Sequence, residues 1–99
     1  MGYKIVKYTD GEYVGETNWR RQPHGDGVLH FTNGDEVAGD WQNGELHGHA
    51  LYTFANGDQL SANYSHGYLC NGTGYFYHGN EEYEVSYMNG EIVSKRRIS

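Results

Sequence analysis

A 23-residue interval runs through this chain. Asn33, Asn56 and Gly79 fall at that spacing, as do Val37, Leu60 and Tyr83, and then Trp41, Tyr64 and Tyr87. Asn43-Gly44, His66-Gly67 and Asn89-Gly90 keep the same interval, and so do His24, His47 and Cys70. A period of this length marks a stacked array, in which each unit buries its apolar face only against its neighbours. Such an array offers surface to a partner rather than an enclosed reaction centre.

The units read as β-hairpins. Asp10-Gly11, Asn33-Gly34, Asn43-Gly44, Asn56-Gly57, Asn71-Gly72 and Asn89-Gly90 are dipeptides that readily supply the two positive φ angles of a type I′ turn. Between them, apolar or small residues recur at every second place. Tyr13, Gly15 and Thr17 are followed by Gly27, Leu29 and Phe31, then by Val37, Gly39 and Trp41. Ala50, Tyr52 and Phe54 come next, then Leu60, Ala62 and Tyr64, Gly74 and Phe76, and Tyr83, Val85 and Tyr87; Val6 and Tyr8 open the series. Period-two alternation is the strand signal, and the helical period of 3.6 is absent. The expected fold is all-β, an antiparallel meander of stacked hairpins in one twisted sheet. Its glycine-aromatic face should be packed and concave. The alternate positions hold Glu12, Glu16, Glu36, Asp40, Asn63, Glu82 and Glu84, which should make the opposite face solvated and negative.

Ninety-nine residues make one small domain with a limited core. Leu, Ile, Val and Phe number only 17, but ten Tyr and two Trp supply large apolar rings in their place. The net charge of −6 argues against direct binding to nucleic acid or anionic lipid, both of which attract Lys and Arg. A lone Cys70 leaves no intrachain disulfide and fits a reducing compartment. No apolar run approaches the roughly 20 residues of a membrane span, and the N-terminus lacks a signal-peptide core. The expected placement is soluble and cytoplasmic, and Met1 with this length suggests a whole small protein, the alternative being a domain excised from a longer one.

Few residues stand out against that background as candidate sites. His47 and His49 are two apart and would share a face of an extended strand, but zinc needs further ligands at short spacing, so no metal is expected. Ser61, Ser65 and Cys70 stand in no nucleophile setting, and the carboxylates read as a solvated face; neither a catalytic residue nor a cofactor is expected. Trp19-Arg20-Arg21 lies in an irregular turn and combines residue types that carry interface energy. It reads equally as a contact site or as a Trp folded back over the sheet end. The rings of Tyr13, Phe31, Tyr52, Phe54, Tyr64, Phe76 and Tyr87 form mostly core, and those left partly open would line a partner-binding groove.

The run Val37-Ala38-Gly39-Asp40-Trp41-Gln42-Asn43-Gly44-Glu45-Leu46-His47-Gly48-His49-Ala50 resembles the MORN repeat, Y-x-G-x-W-x-x-G-x-x-H-G-x-G. Tyr13, Gly15, His24, Gly25 and Gly27 carry the same motif, and Leu60, Ala62, Tyr64, Gly67, Gly72 and Gly74 a looser copy. The first unit's turn is one residue longer than its counterpart, and the third unit has Cys70 at the His position. The resemblance implies a single-sheet, twisted MORN-type solenoid. Its parts are a half-repeat at 1–10, repeats at 11–34, 35–57 and 58–80, a partial repeat at 81–93 and a basic tail at 94–99. It further implies scaffolding or partner binding inside cells and no shared catalytic residue. The leading expectation is a non-enzymatic protein-binding module using its aromatic-glycine face or its strand edges. Self-association through Ile5–Tyr8 or Glu82–Met88 belongs to the same expectation. One alternative is a small acidic inhibitor of a basic nucleic-acid-binding enzyme, acting through Glu12, Glu16, Glu36, Asp40, Glu82 and Glu84. Another is weak membrane anchoring through Lys95-Arg96-Arg97.

Overall fold

The structure, a computed structural model, describes residues 3–70 and 72–99. Ten strands form one antiparallel sheet: β1 (Lys4–Tyr8), β2 (Gly11–Thr17), β3 (Pro23–Phe31), β4 (Glu36–Gln42), β5 (Glu45–Thr53), β6 (Gln59–Ser65), β7 (Tyr68–Leu69), β8 (Gly72–His78), β9 (Glu81–Met88) and β10 (Glu91–Arg97). They pair in chain order, except that the two-residue β7 pairs only with β6, and β8 then returns to β6 as well. There is no helix among the described residues. The sheet is open, 42 Å long and 25 × 23 Å across.

Two turn types alternate along it. Asn43-Gly44 (φ 49° and 89°), His66-Gly67 (50° and 84°) and Asn89-Gly90 (55° and 81°) make tight turns with both angles positive, as type I′ demands. Asn33-Gly34 and Asn56-Gly57 do not. Only Gly34 and Gly57 are positive there, and Asn33 and Asn56 instead accept hydrogen bonds through Oδ1 from the amides of Asp35 and Asp58, both at 2.9 Å. The longer loop closes with Phe31 N–H donating to Asp35 O and, one repeat on, Phe54 N–H to Asp58 O, both 2.8 Å. Gly11 is a strand residue paired with Tyr8 and Phe31, so the Asp10-Gly11 turn also departs from expectation. Asn71 lies outside the described residues.

The chain does not end in a free basic tail. The Asn89-Gly90 turn sends residues 91–97 back along β9, completing a last hairpin. Among the described residues the strand order therefore ends on β1 and β10, and the short β7 also pairs on one side only. Ile5–Tyr8 is an edge as expected, but within Glu82–Met88 residues 83–87 are paired on both sides.

One face of this single layer is buried. A lane of small residues crosses the strands in register: Gly15, Gly27, Gly39, Ala50 and Ala62 pair in succession, and Gly74 pairs with Val85 farther along. Rings lie over that lane. A Cβ on Gly27 would stand 2.1 Å from the Tyr13 hydroxyl and 2.3 Å from its ring. The Tyr13 hydroxyl donates to Glu16 O at 2.6 Å and Asp26 O at 3.2 Å, while Trp41 Nε1–H donates to Gly27 O at 3.1 Å. Tyr13 and Trp41 meet edge to face at 5.4 Å. Tyr87 repeats the device over Gly74: its hydroxyl donates to Thr73 O at 2.9 Å and accepts from Asn63 N–H at 3.2 Å. Tyr13 and Val85 reach 0 % exposure without a second layer, so the sheet curls over them.

Two clusters result. Tyr13, Val37, Trp41, Leu46 and Ala50 form the first; Leu60, Ala62, Val85 and Tyr87 form the second; Tyr52 and Tyr64 pack against both. Because Gly27 has ordinary strand φ, its necessity is steric alone. Gly27→Ala is expected to cost about 1–3 kcal/mol through overpacking against Tyr13, seen as a lower urea midpoint. An unchanged midpoint would mean that the ring does not need this clearance.

Candidate functional site

The curled face leaves an aromatic groove. Phe31 and Tyr52 stack with centroids 6.1 Å apart, Tyr52 meets Phe54 at 4.8 Å, Phe54 meets Phe76 at 6.3 Å, and Phe76 meets Tyr83 at 6.3 Å. These five rings are half-buried and make a continuous path across four hairpins. Beside them, Leu29, Trp41, Leu46, Tyr52 and Tyr64 border a cleft of about 300 Å³. Lys95 caps the far end, its Nζ 4.6 Å from the Tyr83 centroid and 5.5 Å from that of Phe76.

Hydrogen bonds across the second repeat fix the Tyr52 ring. Tyr52 donates its phenol proton to Asp35 Oδ2 at 2.7 Å, and Asp35 Oδ1 accepts from Ala55 N–H at 2.7 Å. The Tyr52 bond, followed by the Ala55 bond, holds the Asp35 carboxyl below its usual range. Burial first, and then the Asp35 bond and charge, push Tyr52 up to about 12. Burial, with Glu16 nearby, pushes Tyr13 to about 12 as well.

The expected contact residues divide into two groups. Tyr13 and Tyr87 are 0 % and 3 % exposed and belong to the core. Phe31, Tyr52, Phe54, Tyr64 and Phe76 face the groove with part of their surface open. Tyr83 joins them, although only its strand position pointed to it.

Trp19 does not fold back over the sheet; it is 85 % exposed. Its loop is nevertheless well bonded. Asn18 Oδ1 accepts from Arg20 N–H (2.9 Å) and Gln22 N–H (3.1 Å), and Asn18 Nδ2 donates to Asn43 in the next unit's turn. Arg21 takes a positive φ of 62°, and the Arg20 guanidinium sits 4.8 Å from the Trp19 ring centroid. The extra residue in this turn thus builds a platform that holds a Trp-Arg pair in solvent.

His47 and His49 do not form a shared metal face. Gly48 between them has φ 95°, in a stretch where the β4–β5 register shifts. His47 meets His66 edge to face at 5.6 Å, whereas His49 Nε2 lies 2.7 Å from Ser61 Oγ. Among the described residues no three His, Cys, Asp or Glu side chains converge. The Ser61–His49 contact is exposed, and no third group among the described residues orients the ring, as an activated nucleophile would require. His24 acts structurally, because its Nδ1 accepts from Asn43 N–H at 3.2 Å and pins the following turn.

The acidic residues are not one uniform set. Glu84 pairs with Arg96, and Glu81 with Arg97 at 3.5 Å, so these arginines of the basic cluster are engaged within the chain. Glu12, Glu16, Glu36 and Asp40 lie on the face opposite the groove, in rows separated by apolar residues.

Residues 22–36 and 38–59 match the family model for the MORN repeat. Those two segments carry the MORN repeat. The matched segments span β3 to the start of β6, where Gly27, Gly39 and Ala50 of the lane, the Trp41 ring and the His24 pin lie. No curated protein gives a significant match. The MORN repeat is a non-catalytic module associated with protein and membrane interactions. Among the described residues, no helix is long and apolar enough to cross a membrane.

Alkaline titration tests the ring assignments. Both phenols have folded values above the ordinary 10 or so, so the unfolded chain releases those protons first. Their contribution to stability is whole below about pH 10 and is lost as pH rises towards 12. Absorbance at 295 nm should show Tyr13 and Tyr52 among the tyrosines that ionise late, these two together with unfolding, and Tyr52→Phe should remove one late-ionising phenol. Ionisation of all ten before any loss of β-sheet signal would contradict this packing.

Proposed function

We propose that this chain is a non-enzymatic protein-binding module whose aromatic groove receives an apolar segment of a protein partner. The observation that carries this reading is the half-open path of rings from Phe31 through Tyr52, Phe54 and Phe76 to Tyr83. Rings held rigid by their own sheet lose little entropy when a partner covers them, which favours affinity. The 300 Å³ cleft beside Tyr52 is large enough for one bulky side chain as an anchor. Trp19, with Arg20 stacked on it, serves as a second contact at the β1 end, next to a hollow of about 340 Å³ bordered by Ile5, Thr17 and Arg21.

Strand addition at an edge is less suited to this chain. β1 carries Lys4 and Lys7, and β10 carries Lys95, Arg96 and Arg97, and charge on edge strands discourages pairing with further chains.

Peptides selected from a displayed random library against the folded protein should carry aromatic or aliphatic anchors. Their affinity should fall roughly tenfold or more in Phe54→Ala, with Trp19→Ala weakening a subset; circular dichroism would establish that both variants remain folded. Selected peptides that bind Phe54→Ala and Trp19→Ala as tightly as the parent would end this reading.

A further inference from the structure

The face opposite the groove has an organisation of its own. Ile5 pairs with Val14, Val14 with Val28, Val28 with Ala38 and Ala38 with Leu51, so five apolar side chains form one row across β1–β5. They belong to neither apolar cluster. Ile5 is 62 % exposed, and the other four keep part of their surface open.

Carboxylates border the row on both sides. Glu12 and Glu36 flank it on one, with His30 between them and 3.5 Å from Glu36. Glu16, Asp26 and Asp40 flank it on the other. Asp26 and Asp40 are direct cross-strand partners, an arrangement of like charges that destabilises a sheet. Among the described residues, Glu12, Glu16, Asp26 and Asp40 form no ion pair. No Lys or Arg occurs between Gln22 and Ser94, so the chain brings none of its own from β3 to β9.

We infer that this row docks a cationic amphipathic helix of a protein partner, laid across the strands. Its apolar stripe rests on Val14, Val28, Ala38 and Leu51, and Lys or Arg on either side of that stripe meets the two carboxylate rows. The dimensions agree. Strands lie about 4.8 Å apart and helix turns about 5.4 Å, so successive turns of the stripe fall close to one per strand. A second copy of this chain is the wrong occupant, because face-to-face association would set carboxylate rows against each other. Nucleic acid and anionic lipid carry the same sign as these rows.

The probe is a helical Leu/Lys peptide with Leu at i, i+3, i+4 and i+7, compared with a Leu/Glu peptide of the same pattern. Amide shifts in NMR titrations should map Leu/Lys binding to Val14, Val28, Ala38 and Leu51, and the Leu/Glu peptide should not bind. Val28→Thr with Leu51→Thr puts a β-branched strand former at both positions and should lower affinity roughly tenfold. Asp26→Asn with Asp40→Asn should lower it likewise and flatten its salt dependence. Phe54→Ala, which disrupts the groove, should leave it unchanged, so the two faces stand or fall separately. Absence of Leu/Lys binding, shifts confined to the groove face, equal binding of the Leu/Glu peptide, or indifference to the two threonine substitutions would overturn the inference.

Discussion

Everything in this fold depends on aromatic rings lying across backbone that carries no side chain. A single sheet has no second layer to bury its apolar face, so the face must cover itself. It does so by laying Tyr13 over Gly15 and Gly27, and Tyr87 over Gly74, with each hydroxyl bonded to backbone at the lane's edge. Trp41 adds a bond to Gly27 and an edge-to-face contact with Tyr13. Glycine here is a matter of clearance rather than backbone freedom, since the Tyr13 ring occupies the space that a Cβ at position 27 would need. Phenols suit this position because their flat bodies fit the lane and their polar ends reach carbonyls.

The same device leaves work for a partner. Rings committed to the lane are closed, while those at the next row outward have neighbours on one side only. Phe31, Tyr52, Phe54, Phe76 and Tyr83 are therefore fixed but half-open, and Tyr52 is secured from the start of its own repeat through Asp35. A thin solenoid also has a second face, and in the first repeats that face carries an apolar row between carboxylates. A single layer of this kind presents two surfaces of different chemistry, each held by the same backbone.

The hairpin meander is legible because its signals are local. Period-two alternation, Asn-Gly pairs and a 23-residue interval are properties of neighbouring residues, and the strands follow them closely. Turn type is less legible: Asn33-Gly34 reads like Asn43-Gly44, but the Asp35 that follows lets Asn33 cap an amide and lengthens the loop. The last strand escapes a reading of pattern because residues 91–97 carry no alternation of buried and exposed positions, all of them being exposed. Pairing with β9 and ion pairs from Arg96 and Arg97 place them there. His47 and His49 would share a face only if Gly48 were ordinary strand, and its positive φ separates them.

The residue pattern alone determined the repeat, the strand class, the glycine-aromatic packing face and the irregular first turn, because each is set by chemistry within one unit. Only the assembled sheet decided which rings are closed and which are open, where the edges lie, and that Trp19 projects into solvent. It also decided that Val14, Val28, Ala38 and Leu51 stand in one line. Those properties depend on register between strands and on the curl of the whole layer, and register places side by side residues that lie ten or more positions apart along the chain.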